Sequence, residues 1–262
     1  MALTYASYLR IDELLSLQQP RSTPPEHDET LFIIIHQTYE LWFKQLLHEL
    51  DKVKQDFSAG EMYGAIHTFK RARTIMKTLV AQLDVLETMT PMSFASFRDR
   101  LETASGFQSY QFRELEFALG LKRADMNFAA LYGADSPGLR LLERRLGERS
   151  VIDHLYDFLA QHGVEIPAEI RQRDVRQSNA PHPAVQEGLL KLYRTQPDVV
   201  ILLELMTDFD EGLQEWRYRH VKVVERTIGR KTGTGGSAGM EFLKRTLFIP
   251  VFPDLWAIRD RL

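Results

Sequence analysis

Two histidines stand where an imidazole is costly to keep. In "LFIIIHQTYELWFKQ" (residues 31–45), His36 shares a helical face with Phe32, Tyr39 and Phe43 at steps of three or four. In "LQEWRYRHVKVVERTIG" (residues 213–229), His220 shares one with Leu213, Trp216, Val223, Val224 and Thr227. An imidazole that loses its water must find a partner or a ligand. The chain's other histidines (His27, His48, His67, His154, His162 and His182) sit beside charges, breakers or polar residues and read as surface or capping groups. Two chemistries suit the remaining pair. Each is a core imidazole satisfied by hydrogen bonds, or the two face each other in a haem pocket. Such a pocket needs apolar walls, a neutral imidazole on one side of the iron and sometimes a polar group on the other. Both readings stay open on the residues alone.

The rival metal chemistries have less support. There is no H-E-x-x-H, and no histidine has a glutamate three residues before it, as a di-iron bundle requires. A facial triad of two histidines and a carboxylate is not removed by spacing. The absence of cysteine excludes disulfides, thiolate zinc, iron–sulfur clusters and thiolate-ligated or covalently attached haem.

Two further motifs bear on a small ligand. "GRKTGTGGSAGMEFL" carries glycines at 229, 233, 235, 236 and 239, but its lysine precedes the cluster, so it is no Walker loop. No strand comes before it and too little chain follows for a dinucleotide-binding domain. It is either a plain helix connector or a loop that closes over a ligand, offering backbone N–H groups with Thr234 and Ser237. In "TPMSFASFRDR" (90–100), Arg98 follows Phe94 by four residues on one helical face. An arginine held against an aromatic face grips a carboxylate in two-point fashion, whereas an arginine beside aspartate is more often a solvated ion pair.

The elements that must hold these residues are helices. Apolar residues recur three and four apart over 28–57, 61–88 and 198–228, and shorter helices are expected at 107–131, 136–147, 150–162 and 184–194. Period-2 alternation is nearly absent; even "VKVV" (221–224) lies inside a helical stripe. The fold expected is all-α, one helical domain over 1–262 with long core helices. An amphipathic arm over about the first 18 residues precedes the break "QQPRSTPPE" (18–26) and packs on its own body or on a neighbouring subunit. At 262 residues, 44% hydrophobic and 26% charged, the chain has material for a sizeable core. A formal net charge of −3 gives no reason to expect nucleic acid or an anionic membrane. Apolar runs such as 199–203 fall far short of the roughly 20 residues that span a bilayer. The N-terminus has Arg10, Asp12 and Glu13 where a signal peptide would be apolar, so a soluble, cytoplasmic protein is expected.

Four segments in order, "HDETLFIIIHQTYELWFKQLLHEL", "SGFQSYQFRELEF", "WRYRHVKVVERTIG" and "GTGGSAGMEFLKRTL", make the chain resemble the tryptophan 2,3-dioxygenase family over essentially its whole length. That resemblance implies an all-helical enzyme with one haem b per subunit, assembled as a homotetramer. It implies insertion of both atoms of O2 across the indole C2–C3 bond of L-tryptophan, giving N-formylkynurenine. Position by position, it implies that His220 is the axial iron ligand and that His36 lies near the indole N–H. Phe32 and Phe94 line the substrate pocket, Arg98 holds the substrate carboxylate, and Thr234 contacts its ammonium and carboxylate. Ser105 and Gly106 run beside the haem, and Tyr5 and Tyr8 belong to an arm that reaches a neighbour's site. Some members carry tyrosine at the position of Phe94, so a hydroxyl is missing from the carboxylate site and more of that contact falls to Arg98. A haem sensor or carrier would use the same histidines without turnover, but it needs no amino-acid clamp, so Arg98 and the glycine loop favour the enzyme. A bare helical scaffold would explain the long stripes and neither histidine.

Overall fold

Long apolar stripes between strong stop signals become the long helices of the molecule. The computed structural model describes residues 2–124, 126–229, 231 and 243–262. After the short arm helices α1 (Tyr5–Leu9) and α2 (Ile11–Leu15) come α3 (His27–Ala59), α4 (Met62–Leu86) and α5 (Pro91–Arg98). Smaller helices follow: α6 (Tyr110–Leu119), α7 (Phe128–Tyr132), α8 (Pro137–Gly147), α9 (Val151–Gln161), α10 (Ala168–Arg171) and α11 (Pro183–Thr195). The chain then runs through α12 (Pro197–Ile228) and ends near α13 (Pro253–Ala257). Among the described residues there is no strand, and no helix is long and apolar enough to cross a membrane. The all-α expectation holds.

One correction concerns 107–131, expected as a single helix. The structure breaks it into a 3-10 turn at Gly106–Gln108, α6, a loop and α7. The stop is Gly120 at φ +112°, where a side chain's Cβ would meet Ile152 at 2.7 Å. The Leu121 N–H turns back to the Glu116 carbonyl at 2.9 Å and closes the helix end.

The long helices share one axis of packing, and their directions decide what meets. α3 runs antiparallel to α4: the Tyr39 hydroxyl donates to the Leu79 carbonyl at 2.9 Å, and the Gln82 amide donates to the Ile35 carbonyl at 3.0 Å. α12 runs parallel to α4, tied by Arg73 to Asp208 at 2.8 Å and by Arg219 to Asp84 at 2.6 Å and Glu87 at 3.1 Å. The start of α3 and the end of α12 therefore meet at the C-terminal end of α4, where α5 begins. One end of the bundle gathers segments that are far apart in sequence.

The rest of the molecule holds that arrangement. One continuous core runs through α3, α4, α9, α11 and α12, with Phe57, Phe69, Phe158, Phe209 and Phe252 fully buried; each such ring stabilises the fold by roughly 1.5–3 kcal/mol. A smaller cluster around Phe117, Leu142 and Leu146 joins α6, α7 and α8. Asp210, inside α12, is wholly buried and accepts from the Val251 N–H at 2.8 Å, the Phe252 N–H at 3.0 Å and the Trp256 indole at 2.9 Å. Arg217, also on α12, pairs with the buried Glu116 of α6 at 2.8 Å and donates to the Thr246 and Ile249 carbonyls, each at 3.3 Å. The "RSTPPE" break is pinned by Glu29, whose carboxylate accepts from the Arg21 N–H at 2.7 Å and the Ser22 N–H at 3.0 Å.

Candidate active site

His36 lies on α3, two and a half turns from its start, in the stretch whose rotation is fixed by the Tyr39 and Gln82 bonds to α4. Its Nδ1 lies 2.7 Å from the Phe32 carbonyl. A carbonyl cannot donate, so Nδ1 carries the hydrogen and the neutral ring keeps its lone pair on Nε2. Burial pushes this imidazole below its usual range, against the opposing pull of the Phe32 carbonyl and the Glu40 carboxylate. At neutral pH, Nε2 of His36 is an acceptor.

Aromatic rings enclose it. Phe32 lies 4.1 Å from the imidazole centroid to centroid, and Phe94 and Phe97 of α5 lie 5.7 and 5.6 Å from Phe32. Proline at the first position of α5 and the Thr90 side chain accepting from the Ser93 N–H start that helix. Phe94 and Phe97 then face the core, and Arg98 follows on the Phe94 face, partly buried at the helix end. The structure thus brings Phe32, His36, Phe94 and Arg98 to one end of the bundle.

His220 approaches from α12. Its ring is pushed down to about 4, first by burial and then by the nearby His36. Trp216, one turn before His220, packs on Tyr39, three residues beyond His36, so the two imidazoles lie at the same level of the bundle. Trp216 stacks on His220 with centroids 5.1 Å apart and planes within 7°. Tyr39, Phe43 and Phe112 surround Trp216 in turn, at 6.0, 6.1 and 4.9 Å. Trp216 shares the His220 stripe in the sequence, but its stacking role was not read from it. Phe112 was missed altogether, because nothing in a sequence says that α6 lies beside α3.

The donor set has a definite character. Among the described residues no three His, Asp or Glu side chains come together to hold a metal ion. What the site offers is two neutral imidazoles on separate helices among aromatic walls, with no third ligand grouped beside them. That is too little for a bare ion and what a macrocycle with four nitrogens of its own requires. The residues present fit a haem. Charge is concentrated elsewhere: an open groove of about 790 Å³ is lined by Asp51, Lys54, Arg144, Arg145, Glu148 and His154. It lies some 15 residues, or about 22 Å, further along α3, and Asp51, Lys54 and Arg145 within it pair with one another.

The remaining candidates fall differently. Ser105 caps the 3-10 turn, accepting from the Phe107 N–H at 3.3 Å, and Gly106 has open space where a Cβ would project. The turn leads into α6, which runs alongside α3 through Gln111 to the Glu40 carbonyl (3.0 Å), so it lies near the level of His36. Tyr5 and Tyr8 stand on α1, 78% and 70% exposed, and are not among the residues around the two histidines of their own chain. Thr234 lies outside the described residues, as does most of the glycine-rich loop at 229–239.

Comparison with known proteins is consistent across the whole length. The sequence model of the family described as tryptophan 2,3-dioxygenase matches residues 1–144 and 135–262. A tryptophan 2,3-dioxygenase of Herpetosiphon aurantiacus is 56% identical over 260 residues, covering 98% of both chains. One of Anaeromyxobacter dehalogenans is 54% identical over 263 residues, covering 100% of this chain and 97% of the relative. A more distant relative of the same name, from Caulobacter vibrioides, is 41% identical over 263 residues, covering 99% and 98%.

Proposed function

The chain belongs to the tryptophan 2,3-dioxygenase family, and from that premise we propose how its residues carry the reaction. It inserts O2 across the indole C2–C3 bond of L-tryptophan to give N-formylkynurenine, the first step of tryptophan catabolism by the kynurenine route. Both oxygen atoms enter the product, one on each carbon of the cleaved bond, and no external reductant is consumed in the turnover.

The observation that carries the reading is the pair of desolvated imidazoles on α3 and α12 at one end of the bundle, each packed on an aromatic ring. His220 would hold haem b through a neutral ring nitrogen, with Ser105 and Gly106 alongside. When bound, the haem supplies the iron-centred oxygen chemistry. The protein's own part is positioning in a dry pocket. Phe32 and Phe94 form apolar wall for the indole. Nε2 of His36, free to accept, takes the indole N–H as a hydrogen bond; an indole N–H is far too weak an acid for an imidazole to remove readily. Arg98 takes the carboxylate at the other end of the substrate, with no tyrosine hydroxyl from the Phe94 position to share the load. Thr234 and the glycine-rich loop are assigned to the ammonium end by their match to the family motif.

The arm extends the proposal to assembly. Tyr5 and Tyr8 of α1, Leu15 of α2 and Leu3 just before them are each about 70% exposed or more. An apolar surface of that kind on a detached arm suits a neighbouring subunit. A homotetramer in which α1 reaches the adjacent site, bringing Tyr5 and Tyr8, is the arrangement proposed.

The test is an anaerobic-to-aerobic absorbance experiment on haem-loaded protein with L-tryptophan and a reductant. A Soret band followed by growth of N-formylkynurenine absorbance when air is admitted is expected. A Soret band without product would leave a haem carrier, and no haem uptake would return both histidines to the core. His220→Ala is expected to lose haem or nearly all activity.

A further inference from the structure

The backbone of α12 sets where His220 begins but not how its ring is turned. The outer torsion of a histidine side chain is broad and roughly two-fold, so something beyond the helix must choose the plane. Metal-bound histidines usually have their plane set by a hydrogen bond from the second ring nitrogen to a carboxylate or carbonyl. Among the described residues His220 makes no hydrogen bond; what it meets is a ring face.

That face is held firmly. Trp216 is buried to 8% exposure, with its indole within 7° of the imidazole plane and 5.1 Å away. Phe112 of α6 packs on it at 4.9 Å. Tyr39 and Phe43 of α3 present edges to it at interplanar angles of 68° and 87°. Tyr39 is itself tied through its hydroxyl to the Leu79 carbonyl of α4. Three helices thus fix the surface against which the imidazole lies.

We propose that Trp216 is a positioning residue for the axial ligand: its indole face sets the plane of the His220 imidazole and so the direction of the donor nitrogen. This rests on the haem reading above. The expected consequence is a single, well-defined iron–histidine geometry, maintained by stacking and therefore retained by any flat ring at position 216.

The experiment compares haem-loaded wild type, Trp216→Phe and Trp216→Leu. The readouts are the iron–histidine stretching band of the ferrous protein in resonance Raman and the spread of g-values of the ferric protein. The Phe variant is expected to keep both. The Leu variant is expected to shift or broaden both and to hold haem about 10-fold more weakly, as loss of a ligand-orienting partner does. A Leu variant with the wild-type band and g-values overturns the proposal. Should Trp216→Leu fail to fold or load, Phe112→Ala, which loosens the packing on Trp216 without touching His220, is expected to broaden the band; an unchanged band there overturns the proposal equally. The haem reading fails separately, if wild type takes up no haem or if haem-loaded His220→Gly keeps the iron–histidine band.

Discussion

At the scale of single residues, protonation state decides the roles. His36 donates from Nδ1 to its own helix at 2.7 Å and so offers Nε2 outward. Its pKa lies below the ordinary value of 6.5 because burial disfavours the charged ring. Half-protonation therefore lies below pH 6.5, and under the proposed role it removes the lone pair that would accept the indole N–H. The activity on tryptophan should lose an acid limb below that pH in His36→Ala, which should turn over more slowly but measurably; a pH–rate profile of wild type and variant checks this. If His36→Ala is inert while still binding haem and substrate, the imidazole is an obligatory base and the hydrogen-bond role is wrong. Arg98→Leu should raise the KM for L-tryptophan about 30-fold or more, since a charge-assisted pair in a desolvated site is worth roughly 2–5 kcal/mol. Steady-state kinetics with an unchanged KM would remove Arg98 from the carboxylate.

At the scale of elements, α12 is the member on which the others depend. It carries Trp216, Arg217 and His220 near one end and the buried Asp210 further back, and Asp210 and Arg217 grip the 246–256 segment by its backbone. Removing the Asp210 carboxylate leaves the Val251 and Phe252 N–H groups and the Trp256 indole without their acceptor in the core. Each orphaned donor costs about 1–3 kcal/mol. Asp210→Ala should accordingly lower the denaturant midpoint by an amount equivalent to about 3 kcal/mol or more, read from equilibrium unfolding followed by circular dichroism. A change under 1 kcal/mol would mean that the C-terminal segment is held chiefly by Phe252 and Leu255 in the core.

At the scale of the whole molecule, the arm is the part that its own chain leaves uncovered. Its leucines and tyrosines lie in solvent while Gln18 donates to Gln37 at 2.6 Å to fasten its base. Deleting residues 2–17 should lower the assembly state seen by light scattering and raise the KM for tryptophan, leaving the proposed haem uptake intact. An unaltered assembly state with unaltered KM would show that the arm serves neither the interface nor the neighbouring site.

The sequence by itself determined the helices, their periods and the types of residue in the site, because a 3.6-residue stripe and a lone apolar-flanked histidine are local facts. Phe32 and His36, Phe94 and Arg98, and Trp216 and His220 are each legible as pairs on one helical face. Only the tertiary structure decided that these pairs meet. That outcome follows from α3 running antiparallel to α4 while α12 runs parallel to it, so three ends coincide, and no local pattern encodes helix direction in a bundle. The same holds for the broken stretch at 107–131. Its apolar residues keep a helical period across the break, and the close approach of Ile152 to Gly120 belongs to the packing of α6 on α9. The neutral state of His220 was likewise an outcome of folding: desolvation is a property of the space around a ring, which exists only once the helices have closed on it.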